Sequence, residues 1–131
     1  MKMSERLNLY KDRQRNNLSE NAYGAIVRLR MDNSHPLGFG YDKEYLSLKL
    51  RNRRYAYLES GWNVGTTQDS TSIVSGFVGF KAKQNFRESL VFGVEEIGRG
   101  SVVYMVDNPL FRGFWYNGKL LFGNAVFLVG N

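Results

Sequence analysis

The sequence predicts a mixed α/β fold in which helices pack on a layered sheet. Apolar and polar residues alternate over residues 22–31, which is typical of a strand with one buried face. Two further strand-like runs, 90–97 and 101–106, are joined by a short Gly-Arg-Gly turn. An apolar run at helical spacing over 120–129 follows them, and a strand followed by an apolar helix favours helix-on-sheet layering.

The chain before the first strand predicts a surface helix over residues 4–20. Ser4 is a suitable N-cap, because its hydroxyl can accept a hydrogen bond from a free backbone N–H of the first turn. Leu7 and Leu18 form only a thin apolar stripe, so we expect this helix to lie at the periphery or against a partner. Asp, Asn, Ser and Pro within residues 32–36 then end the first strand.

The next part of the chain predicts a β-hairpin. Residues 45–50 alternate between apolar and polar, residues 51–53 form the turn, and residues 54–58 return as the second strand. Residues 61–72 contain a cluster of Thr, Ser, Gln and Asp and predict a polar loop.

Residues 73–83 leave two interpretations open. Gly76 and Gly79 could be bulges in a strand or points of close contact in a short helix. Residues 85–89 predict a single helical turn, and the aromatic-rich residues 110–116 predict a turn or a short helix.

The last predicted strand contains five consecutive apolar residues, 102–106. Such a run favours a strand that is buried on both faces. The Asp-Asn-Pro sequence that follows ends this strand, because proline has no N–H for the ladder. In the strand before it, the adjacent Glu95 and Glu96 should point to opposite faces, so they do not form an acid/base pair.

The residue counts exclude several kinds of site. The chain has 131 residues, no cysteine and one histidine, His35. The lack of cysteine excludes a disulfide scaffold, a thiolate nucleophile, an iron–sulfur cluster and cysteine-ligated zinc. A single imidazole cannot supply the two or three histidines of a typical zinc hydrolase. We therefore expect one domain, residues 1–131, that is not an enzyme on its own and has no metal or cofactor.

The formal net charge is +6, from 18 basic and 12 acidic side chains. The densest basic segment, residues 49–54, could attract phosphate or an acidic partner, or it could be the solvated edge of the hairpin. Residues 76–81, Gly-Phe-Val-Gly-Phe-Lys, are similar to the aromatic strand of RNA-recognition modules, so nucleic-acid binding is a less favoured alternative.

Apolar runs in the sequence are short. The longest are far below the ~20 residues that span a bilayer, and residues 1–17 lack the apolar core of a signal peptide. We expect a chain with no membrane partner and no export signal of its own.

Polar residues that follow two of the predicted strands form a candidate pocket. This pocket would contain Asp32, His35, Asp107, Asn108 and Arg112, because ligands bind at strand-terminating loops in α/β sheets. The alternative is that these side chains satisfy the backbone groups of their own turns.

Four segments resemble one family of proteins. Residues 98–115, which end in Asp-Asn-Pro-Leu-Phe-Arg-Gly-Phe-Trp, resemble the closing segment of large bacterial zinc carboxypeptidase-like proteins. Residues 117–125 continue the similarity, and residues 32–40 and 57–63 resemble earlier parts of the same domain. Together these segments cover most of residues 20–129.

The resemblance implies the C-terminal part of a glutamine-amidotransferase-like, flavodoxin-like domain, which lies downstream of a peptidase domain in that family. It transfers no catalytic residue, because the family's zinc ligands lie upstream and the nucleophile-bearing turn precedes the part that this chain resembles. It also implies bacterial relatives that are exported or periplasmic.

These observations predict a non-catalytic accessory segment that packs against other protein. A half-domain exposes sheet edge and helix face, so we expect a homodimer, or association with an upstream peptidase domain. The alternative is a small-ligand or carbohydrate-binding module that uses the candidate pocket and exposed aromatic rings.

Overall fold

The computed structural model describes residues 9–68 and 73–130 and confirms the mixed α/β class. The described residues contain one curled six-stranded antiparallel sheet and three helices. The strands are β1 (Ala22–Met31), β2 (Glu44–Lys49), β3 (Trp62–Thr67), β4 (Ile73–Val78), β5 (Ser89–Ile97) and β6 (Gly100–Met105). The helices are α1 (Arg13–Glu20), α2 (Phe80–Asn85) and α3 (Asn117–Phe127).

Strand β1 organises the sheet, whose order is β2-β1-β3-β5-β6. One edge of β1 pairs with β2, and the other pairs with β4 near its start and with β3 at its end. Every described pairing is antiparallel, whereas a flavodoxin-like sheet consists of parallel strands. The short turn between β5 and β6 requires these two strands to be antiparallel, because parallel neighbours need a crossover of a dozen or more residues. Gly98 in that turn has φ +61°, which favours glycine.

The predicted β-hairpin is wrong in its second strand. β2 pairs with β1, through the register Ala25↔Lys49 to Arg30↔Glu44, and residues 52–57 form no regular structure. The side chains of residues 51–57 are all exposed, so this segment has no buried face that would favour a strand in the sheet.

The predicted polar loop at 61–72 is also wrong over most of its described length. It contains β3, which lies between β1 and β5 and buries Val64 and Thr67. Residues 69–72 lie outside the described part of the chain. The ambiguous segment 73–83 contains both alternatives, because β4 is followed directly by α2. The single helical turn predicted at 85–89 is not found, since α2 ends at Asn85 and β5 begins at Ser89.

The predicted burial of β6 on both faces is wrong, and β5 is the more deeply buried of the two strands. β5 is buried from Ser89 to Val94, whereas β6 is mostly exposed. The segment before β3 covers the outer face of β5, and Leu58 lies so close that a Cβ on Gly93 would approach its Cδ1 to 2.9 Å. On β6, which is the last strand in the order, the outward side chains Val102 and Tyr104 are exposed.

Helix α3 packs on the sheet through a narrow face. Leu121 belongs to the main core with Val27, Leu29 and Phe92. The Nδ2 of Asn124 donates hydrogen bonds to the carbonyl oxygens of Leu37 at 3.0 Å and Phe39 at 2.8 Å, which fixes the helix to the loop after β1. The predicted C-terminal helix is therefore confirmed, with its start three residues earlier.

Helix α1 confirms the predicted surface helix over its described part. None of its side chains is buried, and Glu20 forms an exposed ion pair with Lys81 at 3.2 Å. The predicted N-cap Ser4 and the first apolar contact Leu7 lie outside the described residues.

Candidate functional site

The candidate pocket is divided among separate parts of the fold. Three antiparallel pairings separate β1 from β6, so the two strands run in opposite directions and the chain leaves them in opposite directions. Carboxyl ends of strands meet at one edge only in a parallel sheet. None of the described clefts is lined by residues from both the loop after β1 and the turn after β6 that the prediction combined.

Two of the predicted residues bind the backbone of their own turns. Asp32 Oδ1 accepts a hydrogen bond from the backbone N–H of Ser34 at 3.1 Å. Asn108 Oδ1 accepts one from the backbone N–H of Leu110 at 2.9 Å. Both are Asx-type turn contacts, which are the alternative to a ligand site that these residue types predict. Arg112 is exposed, and its guanidinium carbon lies 5.1 Å from the centroid of the Phe111 ring.

Asp107 forms a buried ion pair instead of facing a cleft. Its Oδ1 lies 3.0 Å from Lys49 Nζ, and its Oδ2 accepts a hydrogen bond from Ser47 Oγ at 2.7 Å. The Lys49 ammonium also lies 4.9 Å from the centroid of the Phe86 ring. With both carboxylate oxygens bound and the group buried, Asp107 has a structural role.

His35 is fixed by a backbone contact. Its Nδ1 accepts a hydrogen bond from the backbone N–H of Leu37 at 3.1 Å, which places the proton of the neutral ring on Nε2. Burial lowers the pKa of His35, and the nearby carboxylates of Asp32 and Glu96 oppose this effect. The ring is tilted against Trp62, with the centroids 6.1 Å apart.

His35 and Trp62 line a cleft of about 480 Å³, which we call the His35 cleft. Its other polar residues are Glu96, Arg99 and Ser101, and residues 128–130, which follow α3, line one side. As predicted, Glu95 and Glu96 lie on opposite faces, since Glu95 binds Tyr104 and Ser60 while Glu96 faces this cleft. The cleft therefore offers an aromatic ring, an imidazole N–H, a carboxylate and a guanidinium.

Sequence reasoning missed Trp62, Glu96 and Arg99 as site residues. Trp62 falls in the predicted polar loop and Arg99 in the predicted Gly-Arg-Gly turn, and neither residue stands in a motif. The 57% exposure of the Trp62 ring and the positions of Glu96 and Arg99 beside it follow from the fold, and no pattern in the sequence marks these three residues.

A second cleft of about 960 Å³ lies between β2 and the segment before α3. Arg28 and Glu44 form an exposed ion pair across it, with Nε and Oε2 3.4 Å apart. Trp115 lines it, and its indole nitrogen is buried without a hydrogen-bond partner of ordinary geometry. The hydroxyl of Tyr45 interacts with this indole but lies outside that geometry.

Apolar side chains are exposed on two elements, β6 and α3. They are Val102 and Tyr104 on β6 and Leu120, Phe122 and Val126 on α3, which together we call the apolar surface. The residues that follow α3 approach the start of β6, since a Cβ on Gly130 would lie 3.5 Å from Ser101 Oγ.

The aromatic strand that suggested nucleic-acid binding is β4. Its Phe77 ring stacks with Tyr23 of β1, with the centroids 6.4 Å apart, and both rings are exposed. This pair gives a small aromatic surface away from the His35 cleft.

Within residues 9–68 and 73–130, no three His, Cys, Asp or Glu side chains are grouped so that they could hold a metal ion. The same residues contain no helix with the length and apolar character that crossing a bilayer requires.

No protein-family model, curated protein or solved structure matches this chain. The resemblance to zinc carboxypeptidase-like proteins therefore stays a prediction that rests on the quoted segments alone.

Proposed function

We propose that this chain is a non-catalytic interaction module whose function is association with other protein, first of all with a second copy of itself. The observation that carries the proposal is the apolar surface on β6 and α3. Clusters of large apolar side chains that remain exposed are typical of protein interaction sites.

Helix α3 supplies the clearest part of this argument. It buries only Gly118, Leu121 and Asn124, yet its exposed side includes Leu120, Phe122 and Val126. A helix that is apolar on both sides is normally covered on both sides. The sheet covers one side of α3, so the exposed apolar side of this helix would pack against a second protein surface.

The side chains with catalytic potential also support a non-enzymatic role. Asp107 is neutralised by Lys49, and His35 Nδ1 is occupied by the Leu37 N–H. A general base needs a free lone pair directed at the substrate, and the described contacts of His35 leave it only an N–H donor at neutral pH.

The experiment is the molar mass of the purified chain in solution, measured by light scattering at micromolar concentration. We expect the mass of two chains. Substitution of Phe122→Glu with Val126→Glu should weaken the association, whereas Phe80→Glu, on the exposed side of α2, should leave it unchanged. A mass of one chain at all concentrations tested would refute self-association and leave a different protein, such as the peptidase domain that the resemblance implies, as the partner.

A second candidate function is the binding of a small carbohydrate-like ligand in the His35 cleft. Its support is the exposed Trp62 ring beside Glu96, Arg99 and the His35 N–H. Sugar rings stack their C–H faces on aromatic rings and use their hydroxyls with charged side chains, so this set of groups suits such a ligand.

A further inference from the structure

Strand β6 is an open edge of the sheet. One of its edges pairs with β5 from Ile97↔Gly100 to Phe92↔Met105, and no strand in the described part of the chain pairs with the other. An edge strand presents a row of unpaired backbone N–H and C=O groups to solvent. The chemistry that complements such a row is the backbone of another extended strand.

Strand β2, at the opposite end of the sheet order, has features that prevent pairing with another strand, and β6 lacks them. A side chain occupies one backbone group of strand β2, because Asn117 Nδ2 donates a hydrogen bond to the Leu46 carbonyl oxygen at 2.9 Å. Ser47 and Lys49 of β2 are held by Asp107, and Glu44 adds an exposed charge. These are the charges and coverings by which proteins usually prevent edge pairing.

Strand β6 has none of these devices. Its sequence, Gly-Ser-Val-Val-Tyr-Met, contains no charge and no proline. Its outward side chains, Val102 and Tyr104, are a β-branched and an aromatic residue, which are the types that favour cross-strand pairing.

We propose that two copies of this chain pair through their β6 edges in antiparallel orientation, forming one continuous sheet across a two-fold axis. This inference rests on the proposed self-association and names the surface that performs it. A strand edge paired antiparallel with itself is self-complementary, which is the geometry that a two-fold dimer requires. Two chains of charge +6 repel each other, so an uncharged edge is also where their approach costs least.

The alternation of side chains restricts the register. A two-fold axis perpendicular to the sheet keeps the outer faces of both copies on the same side, so outward residues must stand opposite outward residues. With Val103 on the axis, Val102 of each copy lies opposite Tyr104 of the other. This register gives two aromatic–β-branched pairs, and neighbouring registers do not.

The chain contains no cysteine, so introduced thiols report this register directly. A mixture of the Val102→Cys and Tyr104→Cys variants should form disulfide-linked dimers on mild oxidation several-fold faster than either variant alone. Directly opposed Cβ atoms lie about 4.5–5.5 Å apart, whereas diagonal neighbours are about 7–8 Å apart. Leu46→Cys on the protected β2 strand is the matched control and should link slowly.

Molar mass separates this inference from the proposed function. Val102→Lys should convert the dimer to a single chain, whereas Val74→Lys, at an exposed position on β4, should leave the mass of two chains. A dimer that resists Val102→Lys and links no faster in the mixture than in the Leu46→Cys control would overturn β6 pairing but keep self-association. A mass of one chain for the unmodified protein would overturn both.

Discussion

Lys49 Nζ lies 3.0 Å from Asp107 Oδ1 in a buried ion pair that joins the two ends of the sheet order. Lys49 ends β2, and Asp107 follows β6 by two residues. In a flat sheet these positions would be four strand spacings apart, or about 19 Å. The ion pair is therefore evidence of how strongly the sheet curls, and it accounts for Asp107 in structural terms.

We expect that Lys49→Met lowers the free energy of unfolding by about 3–5 kcal/mol, because removal of one partner leaves a buried carboxylate without its counter-ion. Urea denaturation followed by circular dichroism measures this loss. The matched control is Lys81→Met, which removes the exposed partner of Glu20 and should cost less than about 1 kcal/mol. Equal losses in the two variants would show that the Lys49–Asp107 pair contributes no more than a surface pair.

Two glycines of α3 should respond in opposite directions to the same substitution. A Cβ on Gly118 would lie 1.9 Å from the Pro109 carbonyl oxygen, so Gly118→Ala must displace the helix or the turn, at a cost of about 1–3 kcal/mol or more. A Cβ on Gly123 would meet nothing within 4 Å, so Gly123→Ala should stabilise by about 0.4–1 kcal/mol. Thermal unfolding of the two variants gives the signs. Stabilisation by Gly118→Ala would contradict the close packing of this helix.

The sequence predicts β1 well, because buried and exposed side chains alternate along most of this strand. The bounds of β1 are those of the alternation at 22–31, because its inward side chains Ala25, Val27 and Leu29 all belong to the core. The apolar run at 102–106 correctly predicts that β6 is a strand, but its prediction of burial on both faces is wrong. A continuous apolar run shows which residues tolerate burial, whereas the position of a strand in the sheet order depends on pairings that sequence does not reveal.

The candidate site was predicted only in part, and the reason is topological. The prediction combined His35 with Asp107 through an assumption that two strand ends meet, which holds for parallel strands and fails for these antiparallel ones. Trp62 and Glu96 reach His35 because β3 and β5 extend past the end of β1. Such staggering of strands depends on long-range register, which no local pattern encodes.

Tyr45 should make the stability of the fold fall at alkaline pH. Burial raises its pKa, and the neighbouring Tyr41 adds to the effect. In the unfolded chain a tyrosine loses its proton near pH ~10, while folded Tyr45 still holds it. Above that pH the folded state binds more protons, so the free energy of unfolding decreases as pH rises towards the folded pKa. Between pH 8 and about 11, the free energy of unfolding from denaturation curves should therefore decrease less for Tyr45→Phe than for the unmodified protein. Equal decreases in the two proteins would contradict a role for Tyr45.

A ligand of the His35 cleft should report on Trp62 itself. The chain has two tryptophans, so Trp115→Phe leaves Trp62 as the only indole. A mono- or disaccharide that stacks on this exposed ring should change its fluorescence in a saturable way. Trp62→Ala, followed by amide chemical shifts in place of fluorescence, should weaken binding at least about tenfold, which corresponds to ~1.4 kcal/mol.

The charged residues of the His35 cleft should also contribute to carbohydrate binding. Glu96→Gln and Arg99→Ala should each reduce affinity, because sugar hydroxyls bind charged acceptors and donors more strongly than neutral ones. Arg28→Ala in the other large cleft is the matched control and should leave affinity unchanged. If sugars shift the amide signals of both clefts equally, or shift none, the His35 cleft is not a carbohydrate site. Protein association through the apolar surface would then be the remaining proposed function.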